Sequence, residues 1–158
     1  MSEGTAGATP GFLVWRLSMK WRVAVDRALA PLGLTHAQYS VVATLRGLGR
    51  SGIRPSQREL ADHTGLEALY VSKLARSLES AGMVERTRDA VDSRAVRLAL
   101  TARGDEVTAR AVGIVHELID SRLAPLGGME GERTAAFVRD LTALLAASPD
   151  DPTDHPAG

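Results

Sequence analysis

The fold is decided by residues 92–104, which read DSRAVRLALTARG. Large apolar side chains alternate along residues 96–100, and a period of two predicts a strand with one face turned inward. Thr101 comes directly after and favours a helix start, because its hydroxyl accepts a hydrogen bond from a free backbone N–H there. Residues 83–88 and 94–100 are predicted to form the two strands of a hairpin with its tip at residues 89–93, and a long helix follows.

Ahead of this hairpin lie two short predicted helices joined by a tight turn. Ser56 and Glu59 have the spacing of a capping box, which opens the first helix. Ala61 is small enough to let two helices approach closely, and Gly65 permits a left-handed turn between them. The second helix is predicted from about Glu67 to Ala81. On these residues alone an ordinary helical hairpin is an equal alternative, and the hairpin behind them favours a DNA-binding unit.

The two segments together resemble the signature of the MarR family of bacterial transcription regulators. In that family Asp-x-Arg, a short apolar strand and Leu-Thr-x-x-Gly form a wing and its exit into a long helix. The matching residues here are Asp92, Arg94, Leu100, Thr101 and Gly104. The resemblance extends from about Phe12 to Ala147, and it implies a winged-helix regulator that binds DNA in a sequence-specific way as a homodimer.

The predicted fold class is mainly α (α+β), with a winged helix-turn-helix core and a two-stranded β-wing. The core covers residues 35–100, and dimerisation helices cover residues 12–34 and 101–147. Residues 1–11 and 148–158 are expected to form disordered tails, because their composition buries too little to offset the entropy cost of ordering.

Length and composition agree with one small domain of 158 residues, 44% of them hydrophobic. The chain has no Cys, which excludes disulfides, thiol-based redox sensing and thiolate zinc sites. No apolar run approaches the roughly 20 residues that cross a bilayer, and the start lacks the order of a secretion signal. The expectation is a cytoplasmic protein that does not enter a membrane.

The net charge of zero argues at first against a nucleic-acid partner, but the charge is unevenly distributed. Residues 1–53 carry a net charge of +4, residues 54–110 carry +1 and residues 111–158 carry −5. A surface that faces DNA can therefore be basic while the rest of the molecule is acidic.

The second helix of the predicted helix-turn-helix has two distinct faces. Val71, Leu74, Ala75 and Leu78 follow helical spacing and are expected to point inward. The opposite face can enter the major groove, where Lys73 or Arg76 can donate to guanine and Leu69 can pack on a thymine methyl. A solvated surface helix is the plainer alternative, but an outward Leu69 fits solvent poorly. The outward residues are Leu69, Ser72, Lys73 and Arg76.

The resemblance also assigns roles in the wing. It implies that Asp92 orients an arginine of the wing through a charged hydrogen bond and that Arg94 enters the minor groove. The helix start departs from the family, which commonly has small hydroxyl residues where this chain has Glu67, Leu69 and Tyr70, so the operator sequence does not carry over from relatives. The candidate DNA-binding residues are Ser56, Gln57, Glu67, Leu69, Tyr70, Ser72, Lys73, Arg76, Arg86, Arg88, Asp92, Arg94 and Arg97.

Apolar stripes on the terminal helices indicate a partner subunit. The helix before Pro125 and a last helix from about Glu130 to Ala147 trail away from the core, with little of their own domain to bury against. The resemblance implies that these helices and the first one form a two-fold dimer interface. The candidate dimerisation residues are Phe12, Leu17, Leu118, Phe137, Val138, Leu141, Leu144 and Leu145.

An effector site is implied by the family, whose members often bind aromatic or other anions between the dimerisation helices and the core. Aromatic faces beside a cation suit such a molecule, although Trp at helical spacing is more often part of a core. The candidate ligand-binding residues are Trp15, Met19, Trp21, Arg22, His36 and Tyr39.

No pattern for catalysis or cofactor binding is found, and the chain is expected not to be an enzyme. The four His residues lack the short spacing that places two metal ligands on one helical face, so no metal and no cofactor is expected. Convergence of His63 and His116 in space is a minor alternative. Two other functions stay open: a winged-helix module for protein docking or dimerisation, and a protein that coats DNA without sequence preference.

Overall fold

The computed structural model describes residues 8–147. It confirms the predicted class, six α-helices with one two-stranded antiparallel sheet over the described residues. The elements are α1 (Pro10–Leu29), α2 (His36–Arg50), α3 (Gln57–Thr64), α4 (Ala68–Ser80), β1 (Val84–Arg88), β2 (Val96–Leu100), α5 (Ala102–Arg122) and α6 (Glu132–Ala146). Single 3₁₀ turns at Ala30–Leu32 and Ala124–Leu126 follow α1 and α5.

The first helix begins at Pro10, so Pro10 and Gly11, which were predicted to belong to the disordered tail, are the first residues of α1. Thr9 caps it by accepting a hydrogen bond from the N–H of Phe12. Proline suits the first helical turn, because its missing N–H would have no partner there. The predictions of disorder for residues 1–7 and 148–158 lie outside the described residues.

The sequence pattern predicts a helix from His36 to about Gly47, but α2 continues to Arg50. Glycine in a helix costs only about 1 kcal/mol relative to alanine, so it does not by itself end a helix that is packed against a core. Here the preceding turn carries the fully buried side chain of Val42 and the nearly buried Leu45. The spacing of Thr35 and Gln38 predicts a capping box at the start of α2, and both of its hydrogen bonds are present.

The helix-turn-helix forms as predicted. Ser56 and Glu59 make both hydrogen bonds of the capping box at the start of α3. Gly65 ends α3 with φ of 71°, in the left-handed region that suits glycine. The predicted inward face of α4 is buried against the core, and its members are Val71, Leu74, Ala75 and Leu78.

The wing is a regular hairpin in which Val84 pairs with Leu100 and Arg88 pairs with Val96. Its second strand begins at Val96, two residues later than predicted, because the carboxylates of Asp89 and Asp92 accept backbone N–H groups and fold the chain into a turn. A single antiparallel β-bridge between the backbones of Ser56 and Arg97 joins the segment before α3 to the sheet.

Gly104 explains the Leu-Thr-x-x-Gly pattern in physical terms. A Cβ at this position would lie 1.9 Å from the backbone oxygen of Met83. The same oxygen accepts a hydrogen bond from the N–H of Thr101, whose own side chain caps Gly104. The start of α5 therefore packs directly on the chain that enters β1, and only glycine leaves room for this contact.

The structure divides into two compact units between Leu118 and Ile119. The first contains a single apolar core, to which α1, α2, α3, α4 and the sheet contribute fully buried side chains such as Leu29, Val41, Leu60 and Leu98. In the second, Thr134 near the start of α6 donates to the carbonyl of Gly128 and is almost wholly buried. No helix in the described part of the chain is long and apolar enough to cross a membrane.

Candidate nucleic-acid interface

The outward face of α4 is open to solvent as predicted. Leu69 is 85% exposed, so that a large apolar side chain faces solvent on this helix. Lys73 and Arg76 are exposed further along the helix, while Glu67 is the N-cap residue and makes no capping hydrogen bond with its side chain. The face thus offers one apolar, two cationic and one anionic group to an incoming surface.

A groove of about 740 Å³ separates α4 from the wing. We call it the interface groove. It brings together residues from the start of α3, the start of α4 and the wing, which lie up to 41 positions apart in the sequence. Its lining residues are Ser56, Gln57, Arg58, Glu59, Ala68, Leu69, Ser72, Asp92, Arg94, Ala95, Val96 and Arg97.

Several predicted DNA-binding residues lie outside this groove. Lys73 and Arg76 continue along the exposed side of α4, and Arg88 is exposed on β1. Arg86 is largely buried and pairs with Glu79 of α4 at 3.5 Å. Tyr70 instead lines a separate cavity beside α2.

Arg97 is the most heavily bonded side chain of the wing. Its Nε donates to Asp89 at 2.5 Å, and its terminal nitrogen donates to Glu59 at 2.8 Å and to the carbonyl of Arg54 at 3.3 Å. One guanidinium thus links both ends of the wing tip to the start of α3 and the loop before it. We call this set of contacts the Arg97 bridge.

The contacts of the Arg97 bridge shift the pKa values of its three charged groups, and each shift favours the ionised form. The N–H of Val91, followed by the guanidinium of Arg97, lowers the pKa of Asp89 to about 2. The N–H of Ser56 and then the charge of Arg97 lower the pKa of Glu59. The hydrogen bond to Asp89 raises the pKa of Arg97. All three groups are therefore ionised at neutral pH.

The charged partner of the wing arginine differs from the one that the family resemblance implied. Asp92 accepts a hydrogen bond from the backbone N–H of Arg94 at 3.0 Å, and so it shapes the turn. The charged hydrogen bond to a wing guanidinium is made by Asp89 with Arg97. The reason is register: Asp89 and Arg97 stand next to the pair Arg88 and Val96 that closes the ladder, within reach of each other.

The predicted DNA-binding residues left out two charged groups that line the interface groove, Arg58 and Glu59. Arg58 follows the cap of α3 and is exposed beside Gln57. A signal for it was available, because the start of the first helix of a helix-turn-helix faces the same side as the second. Glu59 was assigned only to the capping box, and its second contact with Arg97 could not be derived from local spacing.

The candidate ligand residues divide between a cavity and open surface. A cavity of about 660 Å³ between α1, α2 and the α3–α4 turn is lined by Arg22 and His36, together with Asp26, Leu66 and Tyr70. Trp15 and Met19 lie on the exposed side of α1. Trp21 is half-buried, and Tyr39 packs against the core, where burial raises the pKa of its phenol.

The candidate dimerisation residues are largely accessible in the single chain. Phe12 on α1 and Val138, Leu144 and Leu145 on α6 are exposed, while the remaining four are half-buried. Phe12 stacks near Trp15 of the same helix, with 6.3 Å between ring centroids. Among residues 8–147, no three or more His, Asp or Glu side chains are grouped to hold a metal ion.

An exposed second helix beside a two-stranded wing defines the protein as a winged helix-turn-helix protein. The model of the MarR family matches residues 32–95. The HTH-type transcriptional repressor Rv2887 of Mycobacterium tuberculosis is 36% identical over 143 residues, which cover 89% of this chain and 97% of the relative. The chain belongs to the MarR family of transcriptional regulators.

Solved structures share the fold. A DNA complex of MepR from S. aureus superimposes with a TM-score of 0.77 at 23% identity and covers 89% of this chain and 99% of that one. The M. tuberculosis regulator MosR in complex with DNA gives a TM-score of 0.69 at 26% identity, over 89% and 98% of the two chains. Since the relatives are transcriptional regulators, the expectation that the chain is not an enzyme is confirmed.

Proposed function

We propose that the protein is a homodimeric repressor that binds a pseudo-palindromic DNA operator through α4 and the wing. The observation that carries the proposal is the interface groove, which joins an exposed helix face to a wing arginine. Relatives support it in two ways: Rv2887 is named a repressor, and MosR has been crystallised with DNA. The sign of regulation rests on the first of these.

Base recognition is assigned to α4. Lys73 or Arg76 donates to N7 and O6 of guanine, and Leu69 packs against a thymine methyl group. The side chain of Glu67, which is free of a capping bond, accepts from N4 of cytosine. A phosphate close to this carboxylate would be repelled, so Glu67 also restricts how the helix enters the groove.

The wing is assigned to the minor groove. Arg94 is exposed at the end of the tip, and its backbone is fixed by the carboxylate of Asp92. Narrow A·T stretches deepen the negative potential that attracts such an arginine. Arg88 and Arg58 neutralise phosphates on either side, whereas Arg97 is held by its carboxylate partners and orients the wing.

The homodimer is inferred from unpartnered apolar side chains on the terminal helices. Leu144 and Leu145 on α6 are 65% and 78% exposed, and Phe12 on α1 is half exposed. A two-fold dimer presents two copies of α4, so the operator half-sites are expected about one helical turn apart, roughly 34–36 Å.

A small aromatic anion is proposed as the signal that releases DNA. The cavity beside α2 has the size of a ligand site and pairs the guanidinium of Arg22 with His36 and the ring of Tyr70. Trp21 lies one residue from Arg22 on α1. To act, the ligand must bind the form that does not bind DNA more tightly than the form that does, since equal affinity shifts nothing.

Selection of binding sites from fragments of the source genome, followed by binding to the selected duplex in excess competitor DNA, tests the DNA proposal. Salt-dependent binding that discriminates against the competitor supports it. A protein-docking module would bind no duplex, and a DNA-coating protein would bind all duplexes alike. Either of these results contradicts the proposal.

The effector proposal has its own test. A panel of salicylate-like and urate-like compounds is expected to contain one that quenches Trp fluorescence and lowers operator affinity. Arg22→Gln should abolish both effects, while Arg27→Gln, on the same helix but outside the cavity, should preserve them. If no compound changes fluorescence or affinity at millimolar concentration, the protein is not released by this class of ligand.

A further inference from the structure

A second cavity, of about 480 Å³, lies at the end of the sheet that is remote from the wing tip. It is bounded by the last turns of α2, the loop of residues 51–54, the end of β2 and the start of α5. Neither the interface groove nor the proposed effector cavity shares a residue with it. We call it the arginine cavity, because Arg46, Arg50 and Arg54 all line it.

The charge of this cavity is unbalanced. Asp105 is its single acidic lining residue, and it accepts a hydrogen bond from Nε of Arg46 at 3.1 Å. That pair neutralises one of the three guanidinium groups. Within residues 8–147, the side chains of Arg50 and Arg54 form no ion pair, so two positive charges face the cavity without an anionic partner.

Apart from the hydroxyl residue Thr101, the rest of the lining consists of apolar residues and glycines. Leu45 is buried, and Ile53 is half exposed. Gly49 and Gly52 leave the sides without side chains. The volume lies within the range of about 300–1,000 Å³ that small-molecule sites occupy. Guanidinium groups bind carboxylate and phosphate oxygens through charged, often paired, hydrogen bonds.

The position of the cavity argues against a DNA phosphate as its occupant. β2 runs from Val96 beside the wing tip to Leu100, and the cavity lies at the Leu100 end. The wing tip and the start of α4 lie at the opposite end, and Arg58 at the start of α3, proposed above as a phosphate contact, does not line the cavity. We therefore infer a free molecule, rather than a DNA phosphate, as the occupant.

We propose that the arginine cavity binds a small anion with two or more carboxylate or phosphate groups. One oxyanion group is held by Arg50 and Arg54, and a second reaches the guanidinium of Arg46. Asp105 competes with the anion for Arg46, which limits affinity. The site depends on neither the operator nor the effector proposal.

Calorimetric titration of the full chain with citrate and with pyrophosphate tests this site, and the two probes separate carboxylate from phosphate recognition. Binding of at least one probe is expected. Arg50→Gln and Arg54→Gln should each weaken it about fivefold or more, because each removes a charged donor. Asp105→Asn should tighten it, since it removes the competing carboxylate.

Arg110→Gln is the matched control, because it removes the same charge from an exposed residue of α5 that lies outside the cavity. It should leave the affinity nearly unchanged. The four substituted residues are all exposed, so the melting curves of the four variants should match that of the parent chain. They are Arg50, Arg54, Asp105 and Arg110. The proposal is overturned if neither probe binds at millimolar concentration, if the control weakens binding as much as Arg50→Gln, or if Asp105→Asn weakens it.

Discussion

At the scale of single residues, the arginines of this protein divide into those that are held and those that are free. Arg97 has three partners within the domain, and Arg86 is paired and largely buried. Arg94 and Arg76 are exposed. Only the second group can exchange water for DNA without first breaking internal bonds, and so the two groups should respond differently to substitution.

Substitution of the free residues should separate positioning from base reading. Arg94→Ala is expected to weaken binding to many sequences and to lower the salt dependence of binding, as loss of a backbone or groove charge does. Lys73→Ala or Arg76→Ala should cost about 1–3 kcal/mol at particular base pairs if it makes a bidentate base contact. Binding measured over a set of mutated operators and salt concentrations distinguishes these patterns.

Arg110→Ala, which removes the same charge on α5, serves as the control and should change neither quantity. Equal losses on all duplexes for Lys73 and Arg76 would assign both to phosphates. Base reading would then fall to Leu69, Ser72 and Glu67.

Carboxyl NMR of Asp89 provides a direct test of the Arg97 bridge. Its pKa of about 2, against an ordinary 3.8, means that ionised Asp89 favours the folded state above about pH 3.8. That contribution is lost as the pH falls through about 2. In Arg97→Gln the pKa should rise but stay below 3.8, because the N–H of Val91, the larger cause, remains.

Arg88→Gln is the control for this measurement, since Arg88 is an exposed arginine of the same wing. It should leave the titration of Asp89 where it is. An unchanged titration in Arg97→Gln would show that the bridge does not exist in solution.

At the scale of elements, the contact between Gly104 and Met83 fixes how α5 leaves the wing. Gly104→Ala places a methyl group against a backbone oxygen that cannot move without breaking its bond to Thr101. We expect a loss of about 1–3 kcal/mol in the free energy of unfolding, typical of overpacking. Thermal unfolding measures it, at about 2–4 °C in Tm per kcal/mol for a chain of this size.

Gly113 offers the matched control. It lies in the same helix, it is exposed, and a Cβ there meets nothing within 4 Å. Gly113→Ala should therefore raise Tm, because alanine is the better helix former by about 1 kcal/mol. If both substitutions stabilise the protein, the contact with Met83 does not require a glycine at position 104.

The sequence predicted those elements whose signals are local. The capping box at Ser56, the turn at Gly65 and the inward face of α4 each depend on residues within one or two turns of helix. The end of α2 was misplaced, because the packing of Val42 and Leu45 outweighed the glycines that follow. The Arg97 bridge was out of reach, since it joins residues 38 and 43 positions apart that meet only after the sheet has formed.

At the scale of the whole molecule, apolar side chains on α6 stay exposed to solvent among the residues that the structure describes. Leu144→Arg combined with Leu145→Arg should convert the proposed homodimer to a monomer, because each leucine buried at its interface contributes about 1.5–3 kcal/mol. Sedimentation at micromolar concentration checks this. The doubly substituted chain should also lose most of its operator affinity, since one half-site alone binds weakly.

Leu69→Arg is the control, since Leu69 is more exposed than Leu144 and Leu145 but lies on α4. It should leave the dimer intact while changing the base preference of the protein. A parent chain that sediments as a monomer at micromolar concentration would contradict the homodimer.

The double use of Glu59 has a consequence for the history of this sequence. Its oxygen Oε2 accepts both the N–H of Ser56 and the guanidinium of Arg97. A glutamine at position 59 would preserve the helix cap but remove one of the two negative charges that pair with Arg97, the other being that of Asp89. Positions 59 and 97 should therefore vary together across related genomes, with an acid at one accompanied by a base at the other and both charges lost in the same lineages.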